Sequence, residues 1–237
     1  MHGFLGEFFG TMILILLGDG VVAGVLLNRS KSQNAGWIVI TAGWAFAVMG
    51  GVYTARLFRA PGFINPAGAV AGLILGLIKP EELGPIVAGE FLGAFVGAVL
   101  VWLHYYPHWP ETAEPGSKLA VFCTGPAIRN PLANLLSEVI GTFVLVLVGA
   151  AIVEKVMGEN IFIAPLGGAL VWGIGLSLGG TTGYAINPAR DLGPRIAHAV
   201  LPITGKGGSD WEYAWVPVVG PLVGGTIAAL LVKVLSG

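Results

Sequence analysis

The chain alternates between long apolar runs and short polar breaks. Six runs are long enough to cross a bilayer as helices, which takes about 20 residues; they cover about 4–27, 36–54, 84–106, 134–154, 162–179 and 213–235. Two further runs do not fit this pattern: residues 67–78 are too few to cross, and residues 188–201 are too polar to face lipid. Each begins just after an asparagine, which predicts two half-helices that enter the membrane and turn back.

The same order of elements occurs twice. "GEFFGT" at 6–11 matches "SEVIGT" at 137–142, and Ile-Asn-Pro-Ala at 64–67 recurs at 186–189. Because each half holds an odd number of spans, the second half must enter the membrane from the opposite side, which makes an inverted repeat. We therefore predict an all-α membrane protein with six transmembrane helices plus two re-entrant half-helices. It forms a single domain over 1–237, with halves of about 1–106 and 134–237 joined by a polar, exposed connection at 107–133.

Composition supports the membrane prediction and narrows the function. The chain is 55% hydrophobic and 11% charged with a mean hydropathy of +0.82, whereas soluble domains are roughly 25% charged. The 38 glycines favour helices that pack closely through small residues. A net charge of −1 gives no surface for nucleic acid. With one cysteine and four scattered histidines, we expect no disulfide, no metal and no cofactor.

The two Asn-Pro-Ala boxes favour helix starts at the middle of the membrane. Asparagine is a strong N-cap and proline suits the first turn. Two helix N-termini that meet tip to tip would each bring roughly half a positive charge, which repels cations. Irregular backbone before each box is tolerated at this depth only along a water-filled path or inside protein. We therefore predict a pore that passes between the boxes, which are Asn65, Pro66 and Ala67, and Asn187, Pro188 and Ala189.

An arginine follows only the second box. Charged residues inside a membrane are costly and usually functional. Arg190 lies one turn into the predicted half-helix, where its guanidinium can face the pore just outside the two asparagines. Its fixed donors can hold two solute hydroxyls, and its charge adds to the exclusion of cations. The alternative is an arginine that is paired only with Asp191.

The paired boxes, the glutamate in the first helix of each half and "GYAINPARDLGPR" at 183–195 resemble the aquaporin family, the major intrinsic proteins, over almost the whole chain. Asp191, "LLGDGVVAGVLL" at 16–27 and "GWIVITAGW" at 36–44 resemble its glycerol-conducting branch, the bacterial glycerol uptake facilitators. The resemblance implies a homotetramer with one pore per subunit in the lipid bilayer. It assigns loop support to Glu7 and Glu138, with which we group Asp191, and a selectivity filter to Trp44, Gly175, Tyr184 and Arg190.

The residues at the filter positions indicate which solutes fit. Water-selective relatives carry a histidine where this chain has Gly175. A wider filter with the rings of Trp44 and Tyr184 suits a polyol, whose carbons can contact the rings while its hydroxyls meet Arg190. Tyr184 replaces the phenylalanine that is common in well-known glycerol channels, and so adds a hydroxyl to this wall.

The expected function is a passive channel in the plasma membrane for glycerol and other small uncharged solutes, with some water. Undissociated lactic acid, or mainly water, are the alternative permeants. A coupled secondary transporter shares inverted repeats with broken helices, but it would need a carboxylate or an ion cage at the midplane. An enzyme is disfavoured because the sequence lacks G-x-S-x-G and H-E-x-x-H.

Orientation and one acidic residue stay open at this point. We expect both termini in the cytoplasm, yet that places five Lys and Arg on the inner side and seven on the outer side. The positive-inside rule therefore does not support the assignment. Asp19 has no counterpart in the other half, and it either lines the outer vestibule or pairs with a neighbour.

Overall fold

A computed structural model describes residues 2–155 and 161–236, which form helices, turns and loops. The α-helices are α1 His2–Leu26, α2 Trp37–Leu57, α3 Pro66–Ile74, α4 Pro80–His104, α5 Pro115–Phe122, α6 Pro131–Lys155, α7 Ile163–Ser177, α8 Pro188–Val200 and α9 Val216–Ser236. A short 3-10 turn covers Tyr106–His108 between α4 and α5. The predicted all-helical fold class is confirmed.

In the described part of the chain, five helices are long and apolar enough to cross a membrane, namely α1, α2, α4, α6 and α9. The helix in the fifth predicted span, α7, is apolar but has 15 residues, about 22 Å of length. It is therefore shorter than the predicted run of 162–179. Its C-terminal end precedes the glycine pair at 179–180, and glycine disfavours the continuation of a helix.

Both half-helices start at the Asn-Pro-Ala boxes. The Asn65 side chain accepts a hydrogen bond from the backbone N–H of Ala67, and Asn187 accepts from those of Ala189 and Arg190. Proline occupies the first turn in both cases. The starts of α3 and α8 are therefore set by residues inside the boxes themselves, as N-capping predicts.

The first half-helix ends earlier than predicted. Residues 67–78 were expected to be helical, but α3 stops at Ile74. Gly76 there has a φ of 74°, and its N–H and that of Leu77 bond back to Leu73 and Gly72. This is a Schellman motif, which ends a helix with a glycine in the left-handed region. The last apolar residues of the run therefore lie in a turn.

The helix pairs that hold the bundle together approach through glycines. On α4, a Cβ at Gly89 or Gly97 would lie 2.5 or 2.6 Å from backbone carbonyl oxygens of α1, and one at Gly93 would overlap a third. On α9, a Cβ at Gly224 would overlap the carbonyl of Val139 on α6. The α1–α4 and α6–α9 pairs, one in each half, thus use the same close packing of small residues.

The prediction that residues 107–133 are an exposed connection is wrong in one respect. This segment contains α5, and Val121 and Phe122 at its end are fully buried. Trp109 is also buried and stacks on Phe122 with a centroid distance of 5.6 Å. The apolar residues of the segment fold back over the bundle because leaving them in water would be unfavourable. The connection thereby becomes part of the wall near Arg190.

Candidate functional site: two asparagines and an aromatic–arginine constriction

The two asparagines are fixed by reciprocal hydrogen bonds between the halves. Asn65 Nδ2 donates to the carbonyl of Ile186 at 2.8 Å, and Asn187 Nδ2 donates to the carbonyl of Ile64 at 2.7 Å. Each side-chain oxygen caps its own half-helix. An amide nitrogen carries two hydrogens, so one hydrogen per asparagine holds the opposite loop. The other hydrogen of each asparagine remains available for a further acceptor.

The backbone before each asparagine is strained. Ile64, Tyr184 and Ile186 have φ values of 47°, 39° and 42°. Such values are outliers for β-branched or bulky residues and cost roughly 1–3 kcal/mol each. The surrounding structure holds the backbone in these conformations, and two buried glutamates make part of the contacts.

Glu7 and Glu138 lie beside the two strained loops. The Glu7 carboxylate accepts hydrogen bonds from the backbone N–H groups of Gly62, Phe63 and Ile64 at 2.7, 3.1 and 2.7 Å. Both carboxylates are buried. Without these acceptors, the loop N–H groups would be buried and unpaired, which is unfavourable.

Glu138 makes the equivalent contacts in the second half. It accepts from the Thr182 hydroxyl at 2.7 Å and from the N–H groups of Ala185 and Ile186 at 3.0 and 2.8 Å. Sequence reasoning missed a third carboxylate, Glu90 of α4, which is fully buried and accepts from the Asn65 N–H at 2.8 Å. A glutamate inside an apolar span could have signalled it, because glutamate is almost never fully buried without a partner.

A cavity of about 220 Å³ extends from the two asparagines to the predicted filter. Trp44, Tyr184 and Arg190 line it together with Asn65 and Asn187. Arg190 is 7% exposed. Its guanidinium carbon lies 4.2 Å from the centroid of the Trp44 ring, and Nη1 donates to the carbonyl of Phe122 at 3.3 Å.

Gly175 lies behind the Tyr184 ring. A Cβ at Gly175 would lie 2.8 Å from Cζ and 2.9 Å from the hydroxyl oxygen of Tyr184. The ring therefore occupies the space that a side chain at position 175 would need. Trp37, which sequence reasoning missed, packs edge-on against Tyr184 at 5.8 Å between centroids and donates from Nε1 to the Gly175 carbonyl at 3.0 Å.

Asp191 accepts hydrogen bonds from the segment that follows α5 and from a second arginine. It accepts from the N–H and hydroxyl of Thr124 at 2.8 and 2.7 Å, and from Arg195 Nε at 2.8 Å. Arg195 is fully buried and was also missed; its presence one turn after Asp191 was the available signal. Burial raises the pKa of the nearby Cys123 thiol.

Asp19 is the acidic neighbour of Arg190. Its carboxylate is fully buried, and Oδ1 lies 3.5 Å from Arg190 Nη1. Of the two interpretations left open by the sequence, the structure therefore favours pairing with a neighbour. Arg190 is accordingly not an arginine that is paired only with Asp191.

Comparison with known proteins agrees with this geometry. The family described as major intrinsic protein matches residues 1–232. Glycerol uptake facilitator protein 3 of Lactiplantibacillus plantarum is 57% identical over 98% of this chain and 95% of its own length. A D/L-lactic acid transporter of the same organism is 40% identical over 97% of this chain and 95% of its own length. The X-ray structure of the aquaglyceroporin from Plasmodium falciparum superposes with a TM-score of 0.87 at 26% identity, covering 99% of this chain and 96% of that one.

Proposed function

The chain belongs to the major intrinsic protein family, and we propose on that basis that it is a passive channel for glycerol and other small uncharged solutes, with some water. The observation that carries the proposal is the cavity that holds both asparagines together with Trp44, Tyr184 and Arg190. The similarity to a glycerol uptake facilitator supports the choice of solute.

The chemistry of this cavity suits a neutral polyol. The aromatic faces of Trp44 and Tyr184 can contact carbon-bound hydrogens, while the N–H groups of Arg190 and the free amide hydrogens of the asparagines can donate to hydroxyls. Within the described residues, the charged side chains that line the cavity are Arg56 and Arg190. With no carboxylate among the described lining residues to bind H⁺ or Na⁺, the cavity disfavours a coupled transporter.

We assign the roles of the site residues as follows. Asn65 and Asn187, with the prolines and alanines that follow them, form the midplane constriction. Trp44, Tyr184 and Arg190 form the selectivity filter, and Gly175 widens it by leaving room for the Tyr184 ring. Glu7, Glu138 and Asp191 hold the surrounding loops through the hydrogen bonds described above.

The assembly and its placement follow from the same proposal. Residues of one chain line the cavity, which supports one pore in each subunit of the proposed homotetramer. We place the protein in the plasma membrane with both termini in the cytoplasm, and therefore with Arg190 on the outer side of the midplane. Protease accessibility of the C-terminus, or thiol labelling of a cysteine introduced there, in intact cells and in lysed cells tests this orientation.

The first test is stopped-flow light scattering on proteoliposomes, with glycerol and water permeability measured separately. Wild type should conduct glycerol rapidly. Gly175→His combined with Tyr184→Thr should lose glycerol flux while it keeps water flux, because a histidine narrows the filter once the tyrosine ring has been removed. The second change is needed because a side chain at 175 and the Tyr184 ring compete for the same space. A wild type that passes water but excludes glycerol would contradict the proposed function.

Undissociated lactic acid is the second candidate permeant, favoured by the similarity to a D/L-lactic acid transporter. It has a carboxyl and a hydroxyl that could use the same donors as glycerol. Entry of the neutral acid should fall about tenfold per pH unit above the pKa of the acid, because the neutral fraction falls by that factor. Glycerol flux should not change over the same pH range, so a pH series with both solutes separates the two.

A further inference from the structure

We propose that Asp19 is a positioning residue of the filter: it holds the Arg190 guanidinium against Trp44 and cancels its charge, which keeps the constriction selective for neutral solutes. The inference rests on the proposed channel function. No role for Asp19 follows from the repeat, because the second half has no equivalent residue.

The negative charge of the Asp19 carboxylate is compensated by Arg190. Asp19 is fully buried in α1, and neither of its oxygens has a hydrogen-bond partner within the described residues. The Arg190 Nη1 at 3.5 Å is the ion-pair partner that the structure gives it. A buried charge without a partner is strongly destabilising, so the pair constrains both side chains.

Three separate elements fix the plane of the guanidinium. Asp19 of α1 lies on one side of Arg190, the ring of Trp44 from α2 lies under its carbon at 4.2 Å, and the carbonyl of Phe122 at the end of α5 accepts at 3.3 Å. The cation–π contact depends on the position of this ring. Asp19 is therefore one of three contacts that fix the arginine, and the one that supplies a negative charge.

The same turn of α1 also makes room for the Trp44 ring. Gly18 lies directly against the Trp44 ring, where an added Cβ would overlap the six-membered ring. Gly18 and Asp19 thus form adjacent parts of one surface behind the filter. One gives Trp44 its space and the other gives Arg190 its counter-charge.

Charge balance gives the functional consequence. Asp191 is engaged by Arg195 at 2.8 Å, so it does not act as the counter-ion of Arg190. Without Asp19, the constriction would carry the full arginine charge in addition to the positive N-termini of α3 and α8. That field would attract small anions. With Asp19, the arginine still offers N–H donors, but the pair is electrically neutral.

The test is Asp19→Asn in proteoliposomes, with glycerol and water permeabilities measured by light scattering. Nitrate permeability is measured in the same way with potassium nitrate and valinomycin, which lets K⁺ follow the anion. We expect the glycerol-to-water ratio to fall at least about threefold, because the released guanidinium enters the pore, and nitrate permeability to rise by a similar factor. Thr11→Val is the matched control, since Thr11 is a fully buried residue of the same helix. It should leave both readouts at the wild-type level.

A purely structural role for Asp19 predicts different results. It would lower all fluxes together through fewer inserted channels, with an unchanged glycerol-to-water ratio and no nitrate entry, and this outcome would overturn the proposal. In an Arg190→Ala background, Asp19→Asn should have no further effect on the ratio; a further effect of equal size would also overturn it. If the asparagine variant does not insert, Asp19→Leu makes the same test with an uncharged side chain that branches at the same carbon.

The two proposals can fail separately. A wild type that excludes glycerol contradicts the proposed solute, while the nitrate and water permeabilities of the Asp19 variants still report on the filter charge. A wild type that conducts glycerol, together with Asp19→Asn channels that are indistinguishable from it, contradicts the role of Asp19 alone.

Discussion

Replacing Gly175 with alanine should slow glycerol through this pore much more than water. The new Cβ would lie 2.8 Å from Tyr184 Cζ, 2.9 Å from its hydroxyl oxygen and 3.0 Å from Thr41 Cγ2. Carbon atoms in contact normally lie about 3.5–4.0 Å apart. The tyrosine ring must therefore move by about 0.7–1.2 Å.

The free space for that movement is the pore. Trp37 packs against the Tyr184 ring, and the backbone at Tyr184 and Ile186 is already strained and is held there by Glu138. Overpacking of this kind costs about 1–3 kcal/mol. If that energy appears as a barrier to the solute, glycerol permeability falls by about 5- to 150-fold. Water should lose less because it is smaller.

The assay is the stopped-flow comparison of glycerol and water in proteoliposomes, normalised to the amount of inserted protein. Gly173→Ala is the control, because a Cβ at Gly173 on the same helix has nothing within 4 Å. Equal glycerol permeability in the two variants would refute the reasoning that Tyr184 forms a wall of the filter and that Gly175 makes room for it.

Three further predictions concern stability. Glu138→Ala leaves three buried donors without their acceptor and should lower the free energy of unfolding by more than about 3 kcal/mol. We expect the variant to lose its monodisperse peak in size-exclusion chromatography in detergent. A variant as stable as wild type would contradict the loop-supporting role of Glu138. Gly224→Ala should lower the midpoint of thermal unfolding because the new Cβ pushes α9 away from α6. Gly20→Ala is the control, since its Cβ would have nothing within 4 Å. Equal midpoints in the two variants would contradict the close packing of α6 and α9. Lys206 donates to three carbonyls at the end of α8, at 2.6, 2.7 and 2.7 Å, so Lys206→Met should cost about 1–3 kcal/mol. Thermal unfolding of this variant is compared with that of Lys31→Met, a control at an exposed site. An equal loss of stability in the two variants would refute the role of Lys206.

The features that could be predicted from the sequence depend on local chemistry. Asparagine and proline set the starts of α3 and α8 through capping, which involves residues two or three positions apart. The apolar runs place five of the long helices because length and hydropathy are properties of the run itself.

The missed features depend on segments that are distant in sequence. The Asp19–Arg190 pair and the contact of Gly175 with Tyr184 exist only after α1, α7 and α8 have packed together. The burial of Phe122 follows from the way the connection folds back, which no periodicity in residues 107–133 reveals. Glu90 looked like one more residue of an apolar span until its distance to the Asn65 N–H was known.

The reciprocal bonds of the two asparagines have a consequence for biosynthesis. The first half of the chain leaves the ribosome with the Asn65 amide and the Ile64 carbonyl prepared for partners that do not yet exist. Those partners, Ile186 and Asn187, are made more than 100 residues later. The constriction that we propose between the two asparagines can therefore form only when the second half has been inserted. A nascent chain that contains only the first half lacks these bonds, and the proposed conducting path is completed in one late step of assembly.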